Sequence, residues 1–402
     1  MLFVSNVLHV PDDVVEEIDK IMFNFLWNGR QHKVKKKVIT QNFENGGCKM
    51  IDLVAKLKAQ KINWVKKMLD DTKWHIWRDT MKTILGVQNI SLFLNSNYII
   101  PKKITKFYKS VLESFHDVKY TKCDSAEDVL QQMLWYNKNI TIDKKSVYNK
   151  HFIDRGILQI RDIVNVNGEM KSFVDICGEF GIQQKYFILY AGILKSIPVR
   201  WKQCVKDAGL MEVNNACILM INGSAYNIMD SDTQKIYSDL VASKLERSKA
   251  AVRYSEQFEI NADQWKNIYV LPNKLKLSNK IKENNFKILH NYIATNKLLF
   301  RMNKTVSPRC NFCNLYDQDT SHMLYNCLIV KNLWFKIEEW LLMEYNIRIV
   351  IVLRDVLFGH AYNQDENVVN RIIMLAKGYI VHCKYKEQEI RFNDLIAFIN
   401  AN

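Results

Sequence analysis

Four soft ligands fall within eighteen residues of this chain: Cys310, Cys313, His322 and Cys327, in the arrangement C-x2-C-x8-H-x4-C. A C-x2-C turn lets two thiolates point at one ion, and a nearby H-x4-C pair can complete the shell. Zinc takes thiolate and imidazole ligands in a tetrahedron, and a shell closed by four protein ligands is structural, because a catalytic zinc keeps a position open. Chance is the competing explanation, since the chain holds nine cysteines and nine histidines. Three of those cysteines and one histidine nevertheless share this short stretch. The motif therefore predicts a structural Zn2+ that staples its loop, and no hydrolytic metal centre.

The other cysteines, Cys48, Cys123, Cys177, Cys204, Cys217 and Cys383, are scattered without a pairing pattern. Isolated cysteines of this kind are mostly small core residues of proteins in reducing compartments. The first ten residues lack a basic stretch followed by a sustained apolar one, so no signal peptide is read. No apolar run approaches the roughly 18 residues that a membrane span needs. The expected location is intracellular, cytoplasmic or nuclear or both, with no membrane partner.

The net charge of +15 is focal. Between Arg30 and Lys67 eleven basic residues stand against Glu44 and Asp52, a net +9. Between Leu271 and Arg309 nine stand against Glu283 alone, a net +8. The rest of the chain is therefore slightly acidic. Clustered lysine and arginine are the footprint of a phosphate-binding surface. A solvated helix face is the plainer alternative. On the phosphate reading, the candidate contacts are Arg30, Lys33, Lys35, Lys36, Lys37, Lys58, Lys61, Lys66 and Lys67, with Lys35, Lys36 and Lys37 foremost. Near the zinc loop, Lys304, Arg309 and Phe312 join them. An exposed Phe312 could stack on a base; packing against the adjacent helix is the other reading.

With only 13 glycines and 5 prolines in 402 residues, the chain should be built from helices with few tight turns. The fold class expected is mostly α, a multi-domain helical protein with a small zinc-binding loop clamped between helices. Three domains are expected: a thumb-like basic helical domain over 1–85, a middle helical domain over 86–255 and a zinc-binding domain over 256–402. Asp12-Asp13 followed by Glu16 reads as a helix start, with Val14, Ile18, Ile21, Met22 and Phe25 at helical spacing up to Trp27. Lys33–Ile39 reads as a basic extended piece and Ile51–Leu69 as a helix. Trp135–Ile142 reads as a strand or hairpin arm. Polar residues near 250–259 read as a domain boundary. Ile281–Phe300 reads as one helix entering the metal loop, and Val330, Trp334, Ile337 and Leu341 form the apolar face of the next.

Several catalytic signatures are missing from the sequence. There is no G-x4-G-K-[ST] phosphate loop, no G-x-S-x-G elbow and no H-E-x-x-H pair. Nor is there an aromatic-x-Asp-Asp turn, which polymerases use to hold two metal ions. The residues by themselves describe a basic, helical, zinc-stapled nucleic-acid-binding protein.

Phe25-Leu26-Trp27-Asn28-Gly29, the basic Lys33–Lys37 stretch, Gly46-Gly47 and the helix carrying Trp64 resemble the thumb region of non-LTR retrotransposon reverse transcriptases, the long interspersed element type. Trp135-Tyr136-Asn137, Phe152 to Asp162, and Tyr190 through Lys202 resemble the middle segment of that polyprotein. Trp265-Lys266-Asn267-Ile268-Tyr269 and Lys287–Asn296 lead into Cys310, Cys313, His322 and Cys327, which with Trp334 resemble its reverse-transcriptase zinc-binding domain. Asp319-Thr320-Ser321 before His322 is a mild departure from the family pattern. The resemblance runs in order along nearly the whole chain and covers the C-terminal half of such a polyprotein, without its endonuclease or polymerase palm. It implies a non-catalytic part that grips RNA or an RNA–DNA hybrid, with a polymerase core in cis or in trans as partner. Two other readings stay open at this point. The chain could be an accessory part complemented in trans or cut from a longer reading frame, or a decayed or domesticated helical protein-interaction scaffold.

Overall fold

The computed structural model describes residues 4–402 apart from 31, 71, 73, 88, 120–122, 124, 210–216, 245 and 361–366. Among them α-helices dominate, and the strands form two short antiparallel hairpins, Thr141–Ile142 with Lys145–Ser146 and Ile218–Ile221 with Ser224–Asn227. The chain divides into two compact units, one of residues 1–22 and 52–243, the other of residues 23–51 and 244–402. The N-terminal end is thus assigned differently from a simple 1–85 domain: residues 23–51 group with the C-terminal part. The basic stretch Arg30–Lys67 is divided between the units at Asp52.

In the first unit the helix Leu53–Leu69 forms where Asp52 accepts the backbone N–H of Ala55, an N-cap that satisfies one orphan donor of the first turn. Its buried face of Ala55, Ala59, Ile62, Val65 and Met68 joins a core that includes Leu112, Phe115 and Trp135. Trp64 lies in that core, with its indole N–H on the Asn6 carbonyl and its ring edge-on to Trp77 and Phe107. The helix Phe173–Phe180 starts on a reciprocal capping box between Ser172 and Asp175. Around Trp135–Ile142 the expected strand is reduced to a bridge between Tyr98 and Asn137 and the two residues Thr141–Ile142.

In the second unit, the helices Lys249–Phe258, Ala262–Lys274, Asn279–Leu289, Leu328–Tyr345 and Asn367–Lys386 surround a core of Tyr254, Trp265, Trp334, Phe358 and Ile373. The helix Lys249–Phe258 buries Ala250, Ala251 and Tyr254, so the polar stretch at 250–259 is the exposed side of a helix, and the division between the units falls just before it, between Ser243 and Lys244. Lys33–Ile39 is not wholly extended: Lys36–Ile39 makes a single helical turn that buries Val38 and Ile39 beneath Trp27 and Phe286. The helix expected over Ile281–Phe300 is broken. It stops at Leu289, Asn291 adopts φ +51°, and a new helix starts at Asn296 where Thr295 accepts the N–H of Leu298. Asparagine tolerates the left-handed region better than other non-glycine residues, and the Tyr292 N–H closes the helix end on the Lys287 carbonyl.

Gly46 has φ +78° and faces Tyr269 so closely that a Cβ would stand 2.6 Å from the ring. Its carbonyl receives the His290 ring at 2.9 Å, which ties the 43–48 loop to the helix Asn279–Leu289. No helix among the described residues is long and apolar enough to cross a membrane.

Candidate metal centre and basic surface

The zinc motif is built on a knuckle. The Cys310 N–H donates to the Tyr316 carbonyl at 2.8 Å, Asn314 N–H returns to the Cys310 carbonyl at 2.9 Å, and Gln318 N–H reaches the Pro308 carbonyl at 2.8 Å. Asn314 takes φ +58°, which lets the chain double back within the turn. Arg309 and Asp317 pair across the base. One wall of the knuckle is the short helix Asn296–Arg301, whose Asn296 side chain donates to the Arg309 carbonyl at 2.7 Å. Asn296 is itself held by the nearly buried Lys384 ammonium at 2.9 Å. The other ligands come from a π-helical turn, His322–Asn326, which is fixed by Asp319 accepting the His322 N–H at 2.8 Å. Cys327 closes that turn and immediately precedes the helix Leu328–Tyr345.

The four ligand atoms all lie within 4.8 Å of one another. Tetrahedral zinc with Zn–S of about 2.3 Å and Zn–N of about 2.0 Å needs ligand–ligand edges of roughly 3.4–3.8 Å. The Cys313 sulfur stands 3.4 Å from His322 Nε2, already at that edge. The ligands are also electrostatically prepared. The Cys310 thiol is held well below the usual thiol range, first by the hydrogen bond from Cys327 and then by the Cys313 N–H, the Gln318 amide and the Phe312 N–H, which together outweigh the opposing effect of burial. Cys327 is pushed up as the partner that keeps the proton, although Ile329 and Val330 at the helix start also donate to it. Two buried sulfurs among converging N–H donors form a site suited to thiolates, and the residues present fit a divalent ion. Zn2+ bound there would be a structural cofactor, since the protein ligands fill its tetrahedron.

Gln318 was not among the residues singled out from sequence, yet it donates to Cys310 Sγ at 3.4 Å and is fully buried. A lone glutamine four residues before a histidine carries no signal of that role. Trp334, by contrast, sits where the helical spacing puts it, buried with its indole N–H on the Leu324 carbonyl at 2.8 Å. Phe312 is half-buried and packed against the core of its unit.

The basic candidates have diverse fates. Arg30, Lys33, Lys37, Lys304 and Arg309 are exposed, and all belong to the second unit. Lys35, also exposed, forms an ion pair with Glu246, and Lys36 lies half-buried over the Phe23 ring. In the first unit Lys58 pairs with Asp117 at 2.9 Å, Lys66 donates to the Ser231 carbonyl at 2.7 Å, and Lys67 is exposed over Trp64. Lys61 departs furthest from the expectation of a phosphate contact. It is 5% exposed, its ammonium donates to the carbonyls of Ser5 and Leu8 at 2.8 and 2.9 Å, and the Phe107 ring lies 4.2 Å away. Burial lowers its pKa to about 8. Lys61 anchors the segment before the helix Asp12–Leu26.

Residues 247–334 match the family described as zinc-binding in reverse transcriptase. The matched stretch contains all four ligands and ends at Trp334. It relates the chain to reverse transcriptases through their zinc-binding segment, which is not a catalytic one. No curated protein matches the chain.

Proposed function

We propose that this chain is a non-catalytic, nucleic-acid-binding part of a non-LTR retrotransposon reverse transcriptase, corresponding to the thumb, middle segment and zinc-binding domain, and that it grips RNA or an RNA–DNA hybrid. The observation that carries the reading is the preorganised Cys310–Cys313–His322–Cys327 shell inside the segment that resembles the reverse-transcriptase zinc-binding family. Exposed Arg309 and Lys304 flank that shell, and Arg30, Lys33 and Lys37 belong to the same unit. These five cations are the leading candidates for phosphate contact. Such contacts are sequence-independent and release counterions, so affinity falls with salt by a slope of about 0.7–0.9 per phosphate neutralised. The polymerase partner acts in cis or in trans.

The test is zinc content of the purified chain beside a Cys310→Ser/Cys313→Ser variant, with RNA affinity titrated against salt. One zinc in the wild type, none in the variant, and a salt slope that drops by about 1.4–1.8 when Lys304 and Arg309 are changed to glutamine support the reading. A metal-free wild type that ignores RNA overturns it.

A further inference from the structure

The second unit contains a cavity of about 970 Å3, at the upper end of the roughly 300–1,000 Å3 typical of small-ligand sites. It is separate from the zinc shell, none of whose four ligands lines it. Aromatic rings form its walls: Trp27 and Tyr292 meet edge-on at 5.8 Å, Phe286 and Tyr292 meet edge-on at 6.2 Å, and Tyr269 lines the side next to Gly46. Tyr385 stands at the cavity with half its surface exposed. The same cavity is lined by Arg30, Lys33, Lys282 and Lys287, against one carboxylate, Glu283, which Lys287 neutralises. Four cations against one acid leave a net +3.

We propose that this cavity binds a nucleotide, with the base against the aromatic walls and the phosphate at Arg30, Lys33 and Lys282. A purely apolar ligand would offer no counter-charge to Arg30, Lys33 and Lys282 at the cavity. A bare phosphate would leave the aromatic walls unused. The pairing of π-faces with focused positive charge is the way single-stranded nucleic acids are held, because every base offers a π-face and stacking tolerates any sequence. The exposed amides of Asn273 and Asn279, which also line the cavity, can hydrogen-bond base edges. The inference rests on the nucleic-acid reading above for its ligand class, and it adds a site apart from the zinc loop. The nucleotide is either free or one unit of a single strand.

Two substitutions at exposed lining positions probe the cavity without disturbing the core. Tyr385→Ala removes a stacking ring, and Asn273→Trp fills the space while leaving the charge unchanged. Zinc content confirms that both variants are folded. Binding is measured by fluorescence anisotropy with a labelled 12-nucleotide single-stranded RNA and by calorimetry with AMP and UMP. Loss of one stacked base corresponds to roughly 5- to 150-fold weaker binding. A loss of that size with the oligonucleotide alone assigns the cavity to a strand, and a loss with AMP or UMP assigns it to a free nucleotide. RNA binding unchanged in both variants, with no mononucleotide binding, overturns the inference while leaving the basic-surface reading intact. A wild type that binds no nucleic acid in any form overturns both.

Discussion

Replacing Lys377 with methionine should stabilise the protein, and the gain should shrink as the pH rises. Lys377 lies within the helix Asn367–Lys386, is 1% exposed, and is flanked by Ala376, with no exposed surface, and by Gly378, which packs against Ile281. Desolvation lowers its pKa from 10.5 to about 7. The unfolded chain therefore binds a proton between pH 7 and 10.5 that the folded chain does not, so stability rises with pH across that window. At 1.36 kcal/mol per pKa unit, burial of Lys377 costs about 4 kcal/mol at pH 7 and about 1 kcal/mol at pH 9.5. Methionine keeps the unbranched shape without the charge. Urea denaturation of wild type and Lys377→Met at both pH values should show the variant ahead by a margin that falls by roughly 3 kcal/mol. Taking the difference between the proteins cancels the other buried lysines and the zinc ligands. A margin that is constant with pH would refute the argument, because it would mean that Lys377 keeps an ordinary pKa in the fold.

Three further outcomes follow from the same reasoning. Stripping zinc with a chelator, or changing Cys327 to Ser, should destabilise the second unit by several kcal/mol, because folding energy of structural zinc sites is metal-binding energy; calorimetry with and without added Zn2+ measures it, and an unchanged transition would sink it. His290 is held down to about 4 by burial, so the folded chain stays neutral there while the unfolded chain protonates below about 6.5. Stability should consequently fall by roughly 3 kcal/mol between pH 6.5 and 4, and the fall should be absent from a His290→Phe variant once differences are taken at each pH. Changing Lys61 to Met should leave RNA affinity and its salt slope unaltered while costing about 1–3 kcal/mol, since the Ser5 and Leu8 carbonyls lose their donor; a reduced salt slope would restore Lys61 to the binding surface.

The zinc shell was legible in the sequence because its geometry is local: C-x2-C and H-x4-C each fit within one turn, and an ion needs little else from the fold. Helix starts were legible for the same reason, as Asp52 and Ser172 cap the turns they precede. The break after Leu289 was not, since neither glycine nor proline marks it and Asn291 reveals its left-handed conformation only in the structure. A hairpin signal also stands in the sequence. Asn222-Gly223, with φ +53° and +77°, is the turn of the Ile218–Asn227 hairpin, and Asn-Gly between apolar residues is a strong hairpin mark. The grouping of residues 23–51 with the C-terminal part depends on contacts such as His290 to Gly46, 244 residues apart, which no periodicity displays.

Charge was the least legible property, and its distribution bears most on function. Lysines of one basic run look alike in sequence, yet Lys61 is sealed against two carbonyls, Lys58 and Lys35 meet carboxylates, and Lys37 is exposed. Partnered and buried cations release few counterions on binding, so the affinity of a polyanion is set by the exposed ones alone. Among the candidates read from sequence, those in the second unit that are exposed and not paired with a carboxylate side chain in an ion pair named above are Arg30, Lys33, Lys37, Lys304 and Arg309. The last two sit on and beside a knuckle held by short backbone hydrogen bonds and the Asn296 clasp, in which Phe312 packs on the core while Leu315 and Tyr316 stay exposed. A loop of that kind gains rigidity from an ion at its centre, since four fixed ligands remove the freedom that exposed backbone would otherwise keep. On the proposed nucleic-acid reading, zinc would reach binding through the placement of Arg309 and Lys304, and its loss should weaken affinity through the loop it orders.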